Sequence, residues 1–188
     1  MYQPSLDMEQ ILLDEQAIDG LVSHLADVLT HEYANRDGNT LLAVPVLKGA
    51  VFFATALLEK INLPLEIDFV SASSYRSATE SGDLTISALP NRTDWDRVDV
   101  LIIEDIVDTG KTLSSMVETF KALGAASVRV VALLDKPSRR VVPFTADYIG
   151  LEIPNAFVVG YGLDYAEKYR NLPYIGILRE EVYQKNNS

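Results

Sequence analysis

Apolar and polar residues follow two distinct patterns along this chain. Between residues 14 and 33, apolar side chains recur at three- and four-residue spacing, which predicts an amphipathic helix. Elsewhere, short runs rich in Val, Ile and Leu predict strands that are buried on both faces of a sheet. The predicted strands are 40–47, 65–73, 98–103, 127–134 and 148–153.

Further helices are predicted between these strands. They cover residues 49–60 and 111–123, and Gly124 stands where a left-handed residue would end the second of them. The polar segment 77–91 is rich in turn residues and carries one short predicted strand at 84–88. Strands that alternate with helices in this way predict an α/β fold: a doubly wound, mainly parallel sheet flanked by helices.

Ligands of doubly wound folds bind beyond the carboxyl ends of the strands. Three motifs of this sequence fall at such ends: Leu47-Lys48-Gly49, the segment 104–112, and Asp135-Lys136. These motifs are therefore the candidates for a ligand site.

The bulk composition narrows the class of protein. The chain has 188 residues, 48% of them hydrophobic, and we expect one domain because no repeat or linker divides it. The absence of cysteine excludes a disulfide framework and thiolate chemistry. A net charge of −11 disfavours nucleic acid as a partner. No apolar run has the length of a membrane span and no signal peptide is evident, so we expect a cytoplasmic protein without membrane partners.

The segment 104–112, Glu-Asp-Ile-Val-Asp-Thr-Gly-Lys-Thr, ends in a pattern that suits a phosphate monoester. Gly110 allows a tight turn, and the N–H groups that follow it at a predicted helix N-terminus form an anion site. Thr109, Lys111 and Thr112 add side-chain donors at the same place.

The carboxylates of this segment require a different partner. Glu104 and Asp105 cannot bind phosphate directly, but they can accept hydrogen bonds from ribose hydroxyls or hold Mg²⁺. Asp108 lies between these acids and the phosphate end, where a general base or a charge stabiliser for the sugar C1 is useful. Basic groups, backbone N–H groups or Mg²⁺ would have to offset locally the repulsion expected between a phosphate and an acidic chain. The order of acids and anion site matches the order of hydroxyls and phosphate in a sugar phosphate.

Two alternative interpretations explain less of the segment. A turn in which Asp108 or Thr109 merely caps the helix accounts for one residue, but not for three acids followed by Thr-Gly-Lys-Thr. A nucleotide-binding loop of the Walker A type requires glycine five positions before Gly110, and Asp105 stands there.

Residues 101–113 resemble the signature of type I phosphoribosyltransferases, in which hydrophobic residues, two acids and two further residues precede Asp-Thr/Ser-Gly-x-Thr. Beyond this segment, residues 40–178 are similar to the hypoxanthine-guanine phosphoribosyltransferase branch of that family. The similar segments are Leu47-Lys48-Gly49, Ser73-Ser74-Tyr75, 133–140, 157–165 and 170–176.

The resemblance implies a reaction of purine salvage. The 5-phosphoribosyl group of 5-phosphoribosyl 1-diphosphate would pass to a 6-oxopurine, hypoxanthine or guanine, giving IMP or GMP and diphosphate, with Mg²⁺ as cofactor. The resemblance also implies a core of about 38–153, a small hood formed by segments 1–37 and 154–188, and a homodimer or homotetramer.

The same resemblance implies roles for residues outside the loop. Lys136 would hydrogen-bond the purine 6-oxo oxygen, Phe157 would stack on the purine ring, and the backbone of Val158 would meet the base edge. Asp164 would contribute to base binding and, with Glu104 and Asp105, to binding Mg²⁺.

Two further segments would act on the diphosphate end. Lys48 and Gly49 would present backbone N–H groups to the diphosphate, together with the side chain of Arg170. The family often has a cis peptide before the position of Lys48. Ser74 and Tyr75 would begin a lid that excludes water.

Other functions compete with this interpretation. The base could be xanthine or another oxo-base, whereas adenine is disfavoured because its 6-amino group meets a donor at Lys136. The hypothesis of a nucleic-acid-binding regulator with the same fold predicts a basic face. The basic cluster visible in the sequence is only Lys136, Arg139 and Arg140. An inactive scaffold predicts a damaged loop, and all three acids of the loop are present.

Overall fold

Two β-sheets organise the structure, a computed structural model that describes residues 3–36, 38–74, 84–87 and 89–184, with 72–74 and 84–87 described by their backbone alone. In the described ranges, one sheet has seven strands and the other has three. The strands are β1 (Met8–Leu13), β2 (Thr40–Leu47), β3 (Glu66–Ile67), β4 (Val70–Ser74), β5 (Leu84–Ser87), β6 (Val98–Val107), β7 (Ser127–Asp135), β8 (Tyr148–Glu152), β9 (Val158–Val159) and β10 (Ile175–Leu178).

The large sheet has the order β5-β4-β2-β6-β7-β8, and β3 also pairs with β2. Every pairing in it is parallel except that of β4 with β5. The helices are α1 (Glu15–Tyr33), α2 (Val51–Leu58), α3 (Lys111–Ala122) and α4 (Glu180–Gln184). The predicted doubly wound, mainly parallel sheet flanked by helices is confirmed.

The two faces of the large sheet bury separate apolar clusters. One cluster joins α1 and α2 to alternate residues of the strands, including Leu41, Leu101 and Leu133. The other joins α3 to the intervening residues, such as Val100 and Ile102. This alternation follows from the two-residue period of a strand, and it explains why the strands read as continuous apolar runs.

The N- and C-terminal segments form the small three-stranded sheet, in the order β1-β10-β9, which we call the hood. Both of its pairings are antiparallel. The predicted hood bounds, 1–37 and 154–188, stay a prediction. Within 1–37, β1 is the strand of this small sheet, and the apolar stripe of α1, including Val22 and Leu29, belongs to a cluster with residues of both sheets.

Several element boundaries differ from their predictions. Strand β6 continues through Val107, so Glu104 and Asp105 lie on a strand rather than in a loop. The backbone of Glu104 pairs with Ala132 of β7. This long-range contact cannot be inferred from two acidic side chains. The predicted strand 65–73 is split into β3 and β4, and the predicted helix 49–60 is shorter at both ends.

The ends of α1 and α3 follow local sequence rules. The Asp14 side chain accepts a hydrogen bond from the Ala17 N–H at 2.8 Å and thus caps α1. Gly124 has φ of +96° and ends α3, as predicted. Its N–H donates to Lys121 and that of Ala125 donates to Phe120, the pair of bonds of a Schellman motif.

The large sheet opens between β2 and β6. The chain leaves β2 through α2 toward β3 and β4, but leaves β6 through α3 toward β7 on the other side, which makes this a topological switch point. The last β2–β6 pair is Pro45 with Ile103, whereas β6 stays paired with β7 as far as Val107. Residues 104–107 therefore border a cleft. Among the described residues, no helix combines the length and the apolar character needed to cross a bilayer.

Candidate active site

A cleft of about 300 Å³ lies at the switch point, beyond the carboxyl ends of β2 and β6. It brings together most of the segment that the sequence singled out, although Lys111 is exposed at the start of α3 rather than in the lining. Both polar ends of the segment share one concave surface. The lining residues are Val46, Leu47, Glu104, Asp105, Ile106, Asp108, Thr109, Gly110, Thr112 and Leu113.

Gly110 makes the turn from β6 into α3. It has φ of +80°, a conformation that costs glycine little, and a Cβ there would lie 3.0 Å from Arg140 and Phe144. The first turn of α3 therefore begins at the cleft, where its N–H groups and the positive end of the helix dipole favour an anion.

Arg140 holds the preceding backbone in place. Its guanidinium donates to the carbonyl of Val107 at 3.0 Å and to the carbonyl of Asp108, and it pairs with the buried carboxylate of Asp135. In the sequence, Arg140 stands in a basic cluster and in the similar segment 133–140, and no role was predicted for it. The segment that follows β7 passes the end of β6, and this places Arg140 against the backbone of Val107 and Asp108.

Asp108 lines the cleft and is paired with a neighbouring cation. The Nε of Arg139 donates to its Oδ1 at 3.3 Å, and both side chains are exposed. An exposed pair of this kind contributes little to stability. The carboxylate can therefore exchange its partner when a ligand enters the cleft.

Glu104 and Asp105 form an electrostatically unfavourable pair in the cleft. Burial, and then the charge of Asp105, raises the pKa of Glu104 well above its ordinary value. Burial also raises the pKa of Asp105. Hydroxyl donors or a cation would relieve this repulsion, and both are what a ribose with bound Mg²⁺ would bring.

The motif after β2 packs tightly against this acidic pair and against the hood. The Leu47–Lys48 peptide bond is cis. A Cβ on Gly49 would lie 1.9 Å from Oδ2 of Asp105, so only glycine allows this approach. A Cβ on Gly162 would lie 2.0 Å from the carbonyl oxygen of Gly49. Two glycines thus bring the hood backbone into contact with the motif.

Arg170 lies in a network of carboxylates within the segment 160–170. It pairs with Asp164 at 2.7 Å and donates to the carbonyl of Gly162 at 2.7 Å. Glu167 is 3.6 Å from Arg170 and 3.0 Å from the ammonium of Lys48. Glu167, an acid that sequence reasoning missed, therefore links the side chains of Lys48 and Arg170, the first of which was predicted to meet the diphosphate through its backbone alone.

The backbone of this segment is unusually constrained. Left-handed conformations cost non-glycine residues free energy and persist where surrounding contacts fix them, often at functional sites. Positive φ angles occur at Gly160, Tyr161, Gly162, Ala166, Glu167 and Tyr169.

Lys136 and Phe157 are brought close together by the chain between β8 and β9, although neither lines the cleft itself. The buried ammonium of Lys136 donates to the carbonyl of Ala156 at 2.7 Å, next to Phe157. Burial lowers the pKa of Lys136, and the charge of Asp108 acts in the opposite direction. An ammonium has three donors, so this contact leaves capacity for a ligand carbonyl.

Comparisons with known proteins agree with this geometry. The phosphoribosyl transferase domain model matches residues 10–166. Hypoxanthine-guanine phosphoribosyltransferase of Bacillus subtilis is 47% identical over 178 residues, which are 95% of this chain and 97% of that protein. The chain belongs to the hypoxanthine-guanine phosphoribosyltransferase family.

Solved structures of this family superpose over almost the whole chain. Hypoxanthine phosphoribosyltransferase of Staphylococcus aureus gives a TM-score of 0.87 at 44% identity, covering 95% of this chain and 96% of that one. The Trypanosoma cruzi enzyme, solved as a mutant in a ternary complex with substrates, gives 0.88 at 37% identity, covering 95% and 99%.

A longer relative also contains this family's domain. The bifunctional protein TilS/HprT of Listeria innocua is 49% identical over 180 residues. Those residues are 95% of this chain but 27% of that protein, so the chain spans about a quarter of the length of such relatives.

The ligand-binding roles of all the predicted site residues stay predictions, including those of the lid, Val158 and Asp164. Tyr75 of the lid lies outside the described residues, and Ser74 is described only by its backbone, which pairs with Leu84. The buried Val158 pairs through its backbone with Ile177 of β10. Asp164 is engaged by Arg170.

The carboxylates suit Mg²⁺ only in part. Within the described ranges, no group of three or more His, Asp or Glu side chains is arranged to hold a metal. Mg²⁺ usually binds one or two carboxylates together with substrate phosphates and waters. The adjacent Glu104 and Asp105 fit that pattern, in which the ion binds together with the substrate.

Proposed function

We propose that this protein transfers the 5-phosphoribosyl group of 5-phosphoribosyl 1-diphosphate to a 6-oxopurine, hypoxanthine or guanine, in purine salvage. The observation that carries the proposal is the single cleft that joins the acidic pair at 104–105 to the N-terminus of α3. The names of the B. subtilis and S. aureus relatives support the choice of base.

The residues of the cleft can be assigned to parts of the substrate. The N–H groups at Gly110 to Thr112 and the hydroxyl of Thr109 would bind the 5-phosphate. Glu104 and Asp105 would accept hydrogen bonds from the ribose hydroxyls. The backbone of Lys48 and Gly49 and the guanidinium of Arg170 would bind the diphosphate.

Cleavage of the bond between the ribose C1 and the diphosphate places positive charge on C1 and negative charge on the departing diphosphate. Asp108 would stabilise the first charge, or accept or orient the proton on N7 of the purine while the base bonds to C1. Arg170 and the backbone at 48–49 would stabilise the second. Mg²⁺, when bound with the diphosphate, supplies further positive charge to the leaving group.

Lys136 and Phe157 would select the base. The ammonium would donate to a 6-oxo oxygen, and the ring would stack on the purine. A purified sample should form nucleotide from hypoxanthine or guanine in a Mg²⁺-dependent assay, and little from adenine or uracil. Product from xanthine alone would favour the related oxo-base enzyme, and no product from any base would refute the proposal.

Replacing Lys136 by methionine keeps the apolar stem but removes the ammonium. We expect kcat/KM for hypoxanthine to fall by about 10- to 100-fold, because a hydrogen bond from a charged donor is lost. The KM for 5-phosphoribosyl 1-diphosphate should change little, and discrimination against adenine should weaken. Lys121→Met, at an exposed position of α3, is the matched control. Equal losses for base and ribosyl diphosphate would show that Lys136 has been misassigned.

We also propose that the chain acts as a homo-oligomer, a homodimer or homotetramer. Exposed apolar side chains lie around α2, among them Phe52, Ile67 and Phe69. An apolar groove of about 310 Å³ runs between α2 and β3. Such a surface favours association. Sedimentation equilibrium that reports only the 20.8 kDa monomer would contradict this proposal.

A further inference from the structure

Phe157 is contacted by two tyrosines of the hood. The ring of Tyr183 stacks on it, with centroids 5.0 Å apart and an angle of 21° between the planes. The ring of Tyr165 is perpendicular to that of Phe157, with centroids 5.6 Å apart. Phe157 nevertheless remains 38% exposed. One face of this ring is therefore covered by Tyr183, while the ring keeps a surface open to solvent.

The covered face points toward the interior of the hood. Tyr183 packs against the apolar cluster of the hood, which includes Met8, Tyr169 and Leu178. It lies on α4, directly after β10. Tyr183 thus joins the ring of Phe157 to this cluster.

Contacts on both sides fix the position of α4. Arg179, just before the helix, donates from Nε to the carbonyl of Met8 at 3.0 Å, and its N–H donates to Asp7 at 2.9 Å. The hydroxyl of Tyr165 donates to the carbonyl of Tyr183 at 3.3 Å. The two rings that contact Phe157 are thus linked to each other and to the first strand of the hood.

We propose that Tyr183 is a positioning residue, which holds the Phe157 ring in the plane that a purine stacks on from the opposite side. The inference rests on the proposed function. A half-exposed phenylalanine that is free to rotate must be ordered when a ligand binds, and ordering a side chain beforehand improves affinity. Stacked aromatic rings restrict each other in this way. The C-terminal helix therefore tunes affinity for the base and not for the ribosyl diphosphate.

Kinetics of Tyr183 variants test the proposal. We expect Tyr183→Ala to raise the KM for the base by about 2- to 10-fold, the effect of releasing one ordered side chain. The kcat and the KM for 5-phosphoribosyl 1-diphosphate should stay close to wild type, because only binding of the base is affected. Tyr183→Phe, which keeps the ring, should restore the wild-type KM for the base.

Two further variants separate positioning from general stability. Tyr174 packs on the same hood cluster, so Tyr174→Ala is the matched control, and its KM for the base should not rise. Thermal unfolding shows whether each variant folds. If Tyr183→Ala does not fold, Tyr183→Leu takes its place, because it retains apolar volume without a ring.

Each outcome decides the question. An unchanged KM for the base in Tyr183→Ala, no restoration by Tyr183→Phe, or an equal rise in Tyr174→Ala would overturn the inference while leaving the proposed function intact. A wild-type protein that forms no nucleotide from any base would refute the proposed function, and this inference with it.

Discussion

Replacement of Asp108 by asparagine is expected to lower kcat by about 10²- to 10⁴-fold, the usual contribution of a positioned acid or base. Asparagine keeps the size of the side chain but can neither hold negative charge near C1 nor accept a proton. The pair with Arg139 is exposed, so its loss should scarcely change the free energy of unfolding. Steady-state assays in saturating substrates measure the effect.

The matched control for this substitution is Asp27→Asn, at an exposed position of α1. It removes the same charge from a residue that does not line the cleft and should leave kcat unchanged. A kcat for Asp108→Asn within a few-fold of wild type would show that Asp108 does not act on the reacting atoms.

Replacement of Gly162 by alanine should lower kcat/KM for 5-phosphoribosyl 1-diphosphate by about 100-fold or more. A Cβ there would lie 2.0 Å from the carbonyl oxygen of Gly49, and φ is +102°, so alanine is both strained and obstructed. The backbone predicted to bind diphosphate must move, and displacements of about 1 Å can cost 10²-fold in rate. Initial-rate kinetics with each substrate varied in turn measure the loss.

Gly20→Ala provides the control for the Gly162 variant. A Cβ at Gly20, in the middle of α1, would meet no atom within 4 Å. Alanine should therefore stabilise the helix by about 0.5–1 kcal/mol and leave activity unchanged. If Gly162→Ala is folded and fully active, the contact between the hood and the diphosphate motif has no functional importance.

The central part of the fold could be predicted from local patterns. The strands β2, β6, β7 and β8 are continuous apolar runs, and α1 and α3 carry apolar stripes. Gly124 marked the end of α3 because a Schellman motif requires a left-handed residue there. These signals lie within a few residues of the elements that they define.

The hood could not be predicted in the same detail. Strand β1 pairs with β10, so Met8 lies opposite Leu178, and nothing near Met8 in the sequence announces that partner. The continuation of β6 through Glu104 and Asp105 likewise depends on pairing with β7. Pairings between distant segments decide such elements, and local propensity does not report them.

The candidate site likewise contains residues that local sequence could predict and residues that only the fold reveals. The segment 104–112 could be recognised because its acids, glycine and threonines stand in the order of the hydroxyls and phosphate of a sugar phosphate. Arg140, Gly162, Glu167 and Tyr183 are isolated residues in the sequence. They acquire a role only when the fold places them against Val107, Gly49, Lys48 and Phe157.

The most direct test of the account is a crystal structure with ribose 5-phosphate bound. The phosphate should lie at the N-terminus of α3, against the backbone of Gly110 to Thr112. The ribose hydroxyls should lie within hydrogen-bonding distance of Glu104 and Asp105. A ligand bound anywhere else, or with its phosphate directed at the carboxylates, would contradict the account.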